Sequence, residues 1–160
     1  MSTLWWIISV VAGLAVLSSL AIPLARRWER RRVSDAVRLF KLRREVLEAR
    51  FLDRARQLGK PRGLRWIDCE WLPSVTFARD KSTGLITAFV GINIRFEAIE
   101  GGGMEDVAAV STVRDAAALF HFQNGNWGTG GRALFNMNPG DAVAKLVSQY
   151  DPLPTELTAV

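Results

Sequence analysis

The chain has 160 residues, 49% of them hydrophobic, which is enough for one small folded domain and a connector. Its single cysteine excludes an internal disulfide and a cysteine-based zinc site, and its single histidine excludes a multi-histidine metal site. The net charge of +5 is unevenly distributed: residues 26–65 carry 15 Lys/Arg and 5 Asp/Glu, whereas residues 66–160 carry 6 Lys/Arg and 11 Asp/Glu.

The first element in the chain is an uncharged run from Thr3 to Leu24. As a helix rising about 1.5 Å per residue, it would reach about 33 Å, enough to cross a hydrocarbon core. Trp5 and Trp6 lie at one edge of this run, as interfacial aromatic residues do. We therefore predict a single-span transmembrane anchor over residues 1–25, in the inner membrane, with the N-terminus outside and the C-terminal domain in the cytoplasm.

The arginines that follow the run are predicted to lie at the membrane surface and to contact anionic lipid headgroups: Arg26, Arg27, Arg30, Arg31 and Arg32. This placement favours lipid over nucleic acid as the partner of the basic segment, since the rest of the chain is acidic.

Residues 26–60 form a predicted basic amphipathic helix, which we call the neck, and Pro23 leaves its continuity with the anchor open. One apolar stripe recurs at helical spacing: Val33, Val37, Phe40, Leu47, Phe51 and Leu58. A second stripe lies nearly opposite: Leu39, Leu42, Val46 and Ala49. The neck either packs against the sheet or forms a short parallel coiled coil. The second stripe favours a partner, either another copy of the chain or a protein of a membrane complex.

Residues 61–150 form a predicted head of about five antiparallel strands and a short C-terminal helix, followed by an irregular tail, residues 151–160. The strands are expected at residues 65–71, 75–79, 85–99, 107–122 and 127–136, with a turn at 72–74 and a helix ending near 149. The predicted fold class is therefore α+β, with a transmembrane helix, a long amphipathic helix across a curved sheet, and a short helix.

This layout resembles the cystatin-like and nuclear-transport-factor-like α+β rolls, and the hairpin Phe120-x-Phe122-x-x-Gly125-x-Trp127 is similar to their paired late strands. The segments 103–106 and 127–139 are also similar to uncharacterised single-span bacterial membrane proteins. The first resemblance implies a cone-shaped sheet that can hold a pocket; the second implies no activity.

Few residues in the sequence suggest chemistry. The run Gly101-Gly102-Gly103 lacks the Lys and Ser/Thr of a phosphate-binding loop, so it predicts a turn. His121 is expected on the strand face opposite Phe120 and Phe122, as a partly exposed strand residue or, with a partner, a general base. Pairing with Cys69 as a catalytic dyad is a further alternative, although a buried cysteine is the simpler interpretation.

Aromatic residues of the head could line a pocket, but they more simply form its core: Trp66, Trp71, Phe77, Phe89, Phe96, Phe120, Phe122, Trp127 and Phe135. Arg95, His121 and Arg132 are the candidate ligand-binding residues, because an arginine on a sheet binds an anion or pairs with a nearby carboxylate. No catalytic residue, cofactor or metal is predicted. The sequence favours a membrane-anchored interaction module without catalytic activity, and the alternative is a small-molecule-binding or enzymatic domain.

Overall fold

The computed structural model describes residues 2–58, 64–103 and 113–154. Its first element, α1, is a single helix of 57 residues from Ser2 to Leu58. The helix continues through Pro23, so the predicted anchor and the predicted neck are one element. A proline in a helix interior removes one backbone hydrogen bond, and the long helix on either side accommodates this loss.

The prediction of a membrane anchor is wrong. Among the described residues, no helix combines the length and the apolar character that crossing a bilayer requires. The predicted single-pass location at the inner membrane is wrong for the same reason. In the structure, the run from Thr3 to Leu24 is the first part of a 57-residue helix whose later turns are rich in arginine.

The described part of the head contains six strands and one short helix. The strands are β1 (Leu64–Asp80), β2 (Ile86–Ala98), β3 (Arg114–Gln123), β4 (Asn126–Gly128), β5 (Ala133–Phe135) and β6 (Tyr150–Pro152), and the helix is α2 (Pro139–Lys145). The antiparallel sheet has the order β4-β3-β2-β1-β6, with β5 on the same edge of β3 as β4. The fold is thus α+β with two helices in the described residues, where three had been predicted.

Several predicted element boundaries are wrong. Residues 65–79 form one strand, because the predicted turn at 72–74 is an irregularity in the pairing of β1 with β2. The predicted strand 127–136 is split into β4 and β5. Residues 107–112 of the predicted fourth strand lie outside the described residues. Tyr150–Pro152 forms β6 on the edge of β1, where an irregular tail had been predicted.

Gly91 shows how the irregularity of β1 is accommodated. A Cβ atom at Gly91 would lie 2.3 Å from Oγ of Ser74 and 3.3 Å from Cβ of Leu72, so the glycine leaves room for the side chains of this part of β1. Pro73 lies at the same point, and a proline is tolerated there because a bulge needs no ladder hydrogen bond.

The two faces of the sheet are covered by different helices. One face packs against the second half of α1, which buries Val37, Phe40 and Phe51 to 2% exposure or less. The other face packs against α2 through Ala142 and Val143. Since successive side chains of a strand point to opposite faces, β2 and β3 are buried on both sides and contain almost continuous apolar runs.

The β3–β4 hairpin attaches the sheet edge to α1. Asn124 and Gly125 turn with positive φ angles of 50° and 76°, and the chain then returns through Trp127. The indole Nε1 of Trp127 donates a hydrogen bond to the carbonyl oxygen of Ala36 over 2.7 Å, and the side chain is 4% exposed. This contact positions α1 along the sheet.

Candidate functional site

His121 is half-buried in β3, on the face opposite Phe120 and Phe122, as strand alternation predicts. It pairs across the sheet with Thr87 of β2, and His121 Nδ1 lies 3.2 Å from Thr87 Oγ1. Thr87 is fully buried, and this contact gives its hydroxyl group a hydrogen-bonding partner. The sequence analysis missed Thr87, although its position in an otherwise apolar strand was a signal.

Burial and two nearby charged residues, Asp80 and Arg132, act on the pKa of His121. Burial lowers the pKa of His121 below its ordinary value, the charge of Asp80 opposes this shift, and Arg132 adds to it. Burial also raises the pKa of the Tyr150 hydroxyl, and the same two charged groups act on it. The structure therefore brings His121 and Arg132, two of the three predicted ligand-binding residues, into one neighbourhood.

The carboxylate of Asp80 accepts hydrogen bonds from the turn that directly follows it. The donors are the backbone N–H groups of Ser82 and Thr83, at 2.8 and 3.0 Å, and the Ser82 hydroxyl at 2.6 Å. The Ser82 hydroxyl, followed by the Thr83 backbone, holds the pKa of Asp80 below its usual value. The carboxylate thus stabilises the β1–β2 hairpin and is poorly placed as the carboxylate partner that His121 would need as a general base.

Arg95, the third predicted residue, lies far from this neighbourhood. It is eight residues from Thr87 along β2, a distance of about 26 Å at the usual strand rise. Its guanidinium group pairs with the carboxylate of Asp68 over 2.9 Å, and both side chains are more than half exposed. Arg95 therefore makes a local carboxylate pair, one of the two alternatives that the sequence offered for it, and the three candidates do not form one site.

A catalytic dyad of Cys69 and His121 is wrong for geometric and chemical reasons. Cys69 pairs with Ile94 and packs against the α1-facing core, whereas His121 lies on the other face and pairs with Thr87. Burial, followed by the charges of Asp68 and Glu48, raises the pKa of the Cys69 thiol to about 12. The thiol is therefore protonated at neutral pH and is a poor nucleophile.

The aromatic residues considered as a pocket lining mostly form the core beneath α1. Phe40 lies at the centre, with its ring centroid 5.0 Å from that of Trp127 and 5.6 Å from those of Phe77 and Phe120. Phe51 extends the cluster to Trp71 at 5.5 Å. Rings at these separations are in contact, so the concave face of the sheet is filled by side chains.

The outward face of α1, opposite the core, carries exposed apolar side chains. Leu42 and Val46 of the second stripe are 73% and 53% exposed, and Ala49 is also exposed. Leu39 is half-buried at the edge of this face. Trp28 lies about three helical turns before Leu39 and is 70% exposed. The predicted first stripe is buried by the sheet from Val33 to Phe51, and the side chain of Leu58 lies outside the described residues. Of the second stripe, Leu39 packs against the edge of the core, whereas Leu42, Val46 and Ala49 are uncovered in the single chain.

The five arginines assigned to a membrane surface are all exposed on α1. The carboxylate of Glu29, within the same stretch, pairs with Arg79 of β1, so this part of the helix lies beside the end of the sheet. Arg31 and Arg32 border an open groove of about 560 Å³ with Trp28 and Phe122. The predicted contact of these arginines with lipid stays a prediction.

No family model matches this chain, and neither a curated protein nor a solved structure is detectably similar to it. The resemblance in layout to cystatin-like and nuclear-transport-factor-like domains therefore stays a prediction.

Proposed function

We propose that this chain is an interaction module without catalytic activity, which binds a protein partner through the outward face of α1. The observation that carries the proposal is the exposure of Leu42 and Val46, at 73% and 53%, on a helix whose opposite face is almost fully buried. Exposed apolar side chains repeated along one helix face are typical of surfaces that another protein covers.

The fold supports this role by holding the helix rigidly. Phe40 and Phe51 anchor α1 in the core, and the Trp127 indole fixes it to the hairpin. The outward face is therefore presented in one conformation, which reduces the entropy cost of binding a partner. The filled concave face of the sheet also favours an outer surface over an inner pocket as the functional region.

The experiment that tests the proposal is native mass spectrometry of the full-length chain, purified from cells that produce it. We expect an assembly heavier than one chain, and we expect Leu42→Gln/Val46→Gln to reduce it to a monomer. A matched control is Ile67→Gln/Val147→Gln, because these side chains are 50% and 58% exposed but lie away from α1. A monomeric wild-type chain, or equal loss of the assembly in both double variants, would overturn the proposal.

A second candidate function is the binding of a small anionic molecule in the groove bordered by Trp28, Arg31, Arg32 and Phe122. Two guanidinium groups beside aromatic rings suit an aromatic phosphate or carboxylate. Phenyl phosphate at about 100 times its dissociation constant would stabilise the fold by about 2.7 kcal/mol. An increase in melting temperature that Arg31→Gln/Arg32→Gln abolishes would favour this function; no increase would exclude this ligand.

A further inference from the structure

The outward face of α1 has a regular spacing that extends beyond the second stripe. Starting at Ala21, residues alternately four and three apart lie along one side of the helix: Ala21, Ala25, Trp28, Arg32, Asp35, Leu39, Leu42, Val46 and Ala49. We call these nine residues the α1 seam. Leu39 is half-buried and the other eight are exposed in the single chain. This alternation is the pattern of the core positions of a two-stranded coiled coil, and it covers about four heptads, the length that such pairing requires.

The order of residues along the seam distinguishes parallel from antiparallel pairing. In a parallel pair, each seam residue meets its own copy. Arg32 would then meet Arg32, and Asp35 would meet Asp35, so that two layers of like charge would be buried next to each other. Trp28 would also meet Trp28, whereas Ala25 and Ala21 would leave gaps.

Antiparallel pairing removes each of these conflicts. When the two helices run in opposite directions about a twofold axis between residues 33 and 34, Arg32 of each copy lies opposite Asp35 of the other. The two central layers then become two ion pairs related by the axis. A buried charge is tolerated where an opposite charge meets it, and such a pair also defines the register of the two helices.

The same register matches large residues with smaller ones on both sides of the axis. Trp28 lies opposite the second copy's Leu39, and Ala25 lies opposite the second copy's Leu42. One turn further out, Ala21 lies opposite the second copy's Val46. Each layer therefore combines unequal volumes, which is the condition for close packing without voids.

From this charge and size complementarity, we propose that the partner covering the outward face of α1 is a second copy of this chain, paired antiparallel through the α1 seam. This inference rests on the proposed function and names its partner. The sheet covers the helix face that carries Phe40 and Phe51. At the central layers, Arg32 and Asp35 border an open groove whose other side is the β3–β4 hairpin at Phe122, Asn124 and Gly125, so the second helix lies along this groove in the proposed pair. The two heads lie at opposite ends of the paired helices.

Disulfide trapping tests the orientation, in full-length chains with Cys69→Ser so that only introduced cysteines react. Ala25 and Leu42 of different copies are opposed in the antiparallel pair, whereas the two copies of Leu42 are about 26 Å apart along the helix. We expect a mixture of Ala25→Cys chains and Leu42→Cys chains to form a mixed covalent dimer on mild oxidation. Each variant alone is expected to form at least tenfold less dimer.

Charge reversal tests the central layers by a separate measurement, sedimentation equilibrium. Arg32→Asp and Asp35→Arg are each expected to weaken dimerisation of the pure variant at least tenfold, because each creates layers of like charge. An equimolar mixture of the two variants should restore dimerisation, since opposite charges meet again. Both residues are exposed in the single chain, so neither variant is expected to unfold it.

The outcomes separate this inference from the proposed function. Efficient disulfide formation by Leu42→Cys chains alone would indicate parallel pairing and would overturn the inference. A purified chain that stays monomeric in sedimentation would also overturn it. If that monomeric chain nevertheless occurs in a heavier assembly with a different protein in its own cells, the proposed function stands and only the identity of the partner is wrong.

Discussion

Phe40 and Leu42 are two residues apart on α1, yet Phe40 is 2% exposed in the core and Leu42 is 73% exposed on the surface. Residues two positions apart in an α-helix are separated by about 200° around its axis, so these two side chains point in nearly opposite directions. Both are large and apolar, and the sheet covers only Phe40. This relationship is the reason for assigning the function of the chain to the outer side of its longest helix.

The two residues are therefore expected to respond differently to mutation. Phe40→Ala should lower the free energy of unfolding by about 3–5 kcal/mol, because it leaves a cavity among Phe77, Phe120 and Trp127. Leu42→Gln should change it by less than about 0.5 kcal/mol. Urea unfolding at a concentration where the chain is monomeric measures both values, and similar losses in the two variants would contradict the assignment of faces.

Trp127→Phe tests the attachment of the hairpin to α1. The phenyl ring keeps much of the apolar packing but removes the N–H group that donates to the Ala36 carbonyl oxygen over 2.7 Å. We expect a loss of about 1 kcal/mol or more in the free energy of unfolding, since the buried contact is not replaced by water. Trp28→Phe is the control, because Trp28 is 70% exposed in the single chain, and it should be nearly neutral when unfolding is measured at a concentration where the chain is monomeric.

Gly131→Ala tests the close approach of the β4–β5 connection to the end of α1. A Cβ atom at Gly131 would lie 2.5 Å from the backbone nitrogen of Ala55 and 2.6 Å from the backbone carbon of Arg54, and φ is +71°. Both features disfavour alanine, so a loss of more than about 1 kcal/mol is expected. The neighbouring Gly130 has nothing within 4 Å, so Gly130→Ala should be tolerated. Equal thermal stability of the two variants would show that the loop does not rest on the helix.

His121 should make the stability of the fold depend on pH in the weakly acidic range. Burial lowers the pKa of His121 in the folded chain below its value of about 6.5 in the unfolded chain. The unfolded state therefore binds a proton first, so this contribution to stability is present above about pH 6.5 and is lost as the pH falls through the folded pKa.

Chemical denaturation at pH 7.5 and at pH 5.5 measures this effect. We expect the drop in the free energy of unfolding between these values to be smaller for His121→Asn than for wild type. Asp80 does not contribute in this interval, because its pKa is lowered and its titration lies in more acidic solution. An identical drop in the two proteins would show that His121 titrates alike in the folded and unfolded chains.

Local patterns in the sequence predicted the features that depend on one element and its immediate neighbours. The 3.6-residue period of α1 identified Val37, Phe40 and Phe51 as its buried stripe, because one helix face must lie on the sheet. Strand alternation placed His121 opposite the core aromatics, and the preference of an exposed arginine for a nearby carboxylate accounts for the pairing of Arg95.

Features that depend on contacts between distant segments could not be predicted in this way. The pairing of β1 continues past Pro73 because Gly91, on a different strand, makes room for it. The strand after Trp127 is interrupted between Gly128 and Ala133, where Gly131 meets the backbone of α1 at Ala55. In each case a glycine inside a predicted strand is the only local signal, and the sequence does not show which distant segment approaches it. The heptad spacing of the α1 seam was present in the sequence, but Arg32 and Asp35 interrupt its apolar character.

The central claim, that a protein covers the outward face of α1, is tested most directly by the accessibility of position 42 inside cells that produce the chain. Leu42→Cys and, as control, Val147→Cys are each introduced into the full-length chain with Cys69→Ser, and maleimide labelling is followed before and after denaturation. The account predicts that labelling at position 42 is at least tenfold slower in the native state than at position 147, although the single chain exposes Leu42 by 73% and Val147 by 58%. Equally fast labelling at the two positions would contradict it.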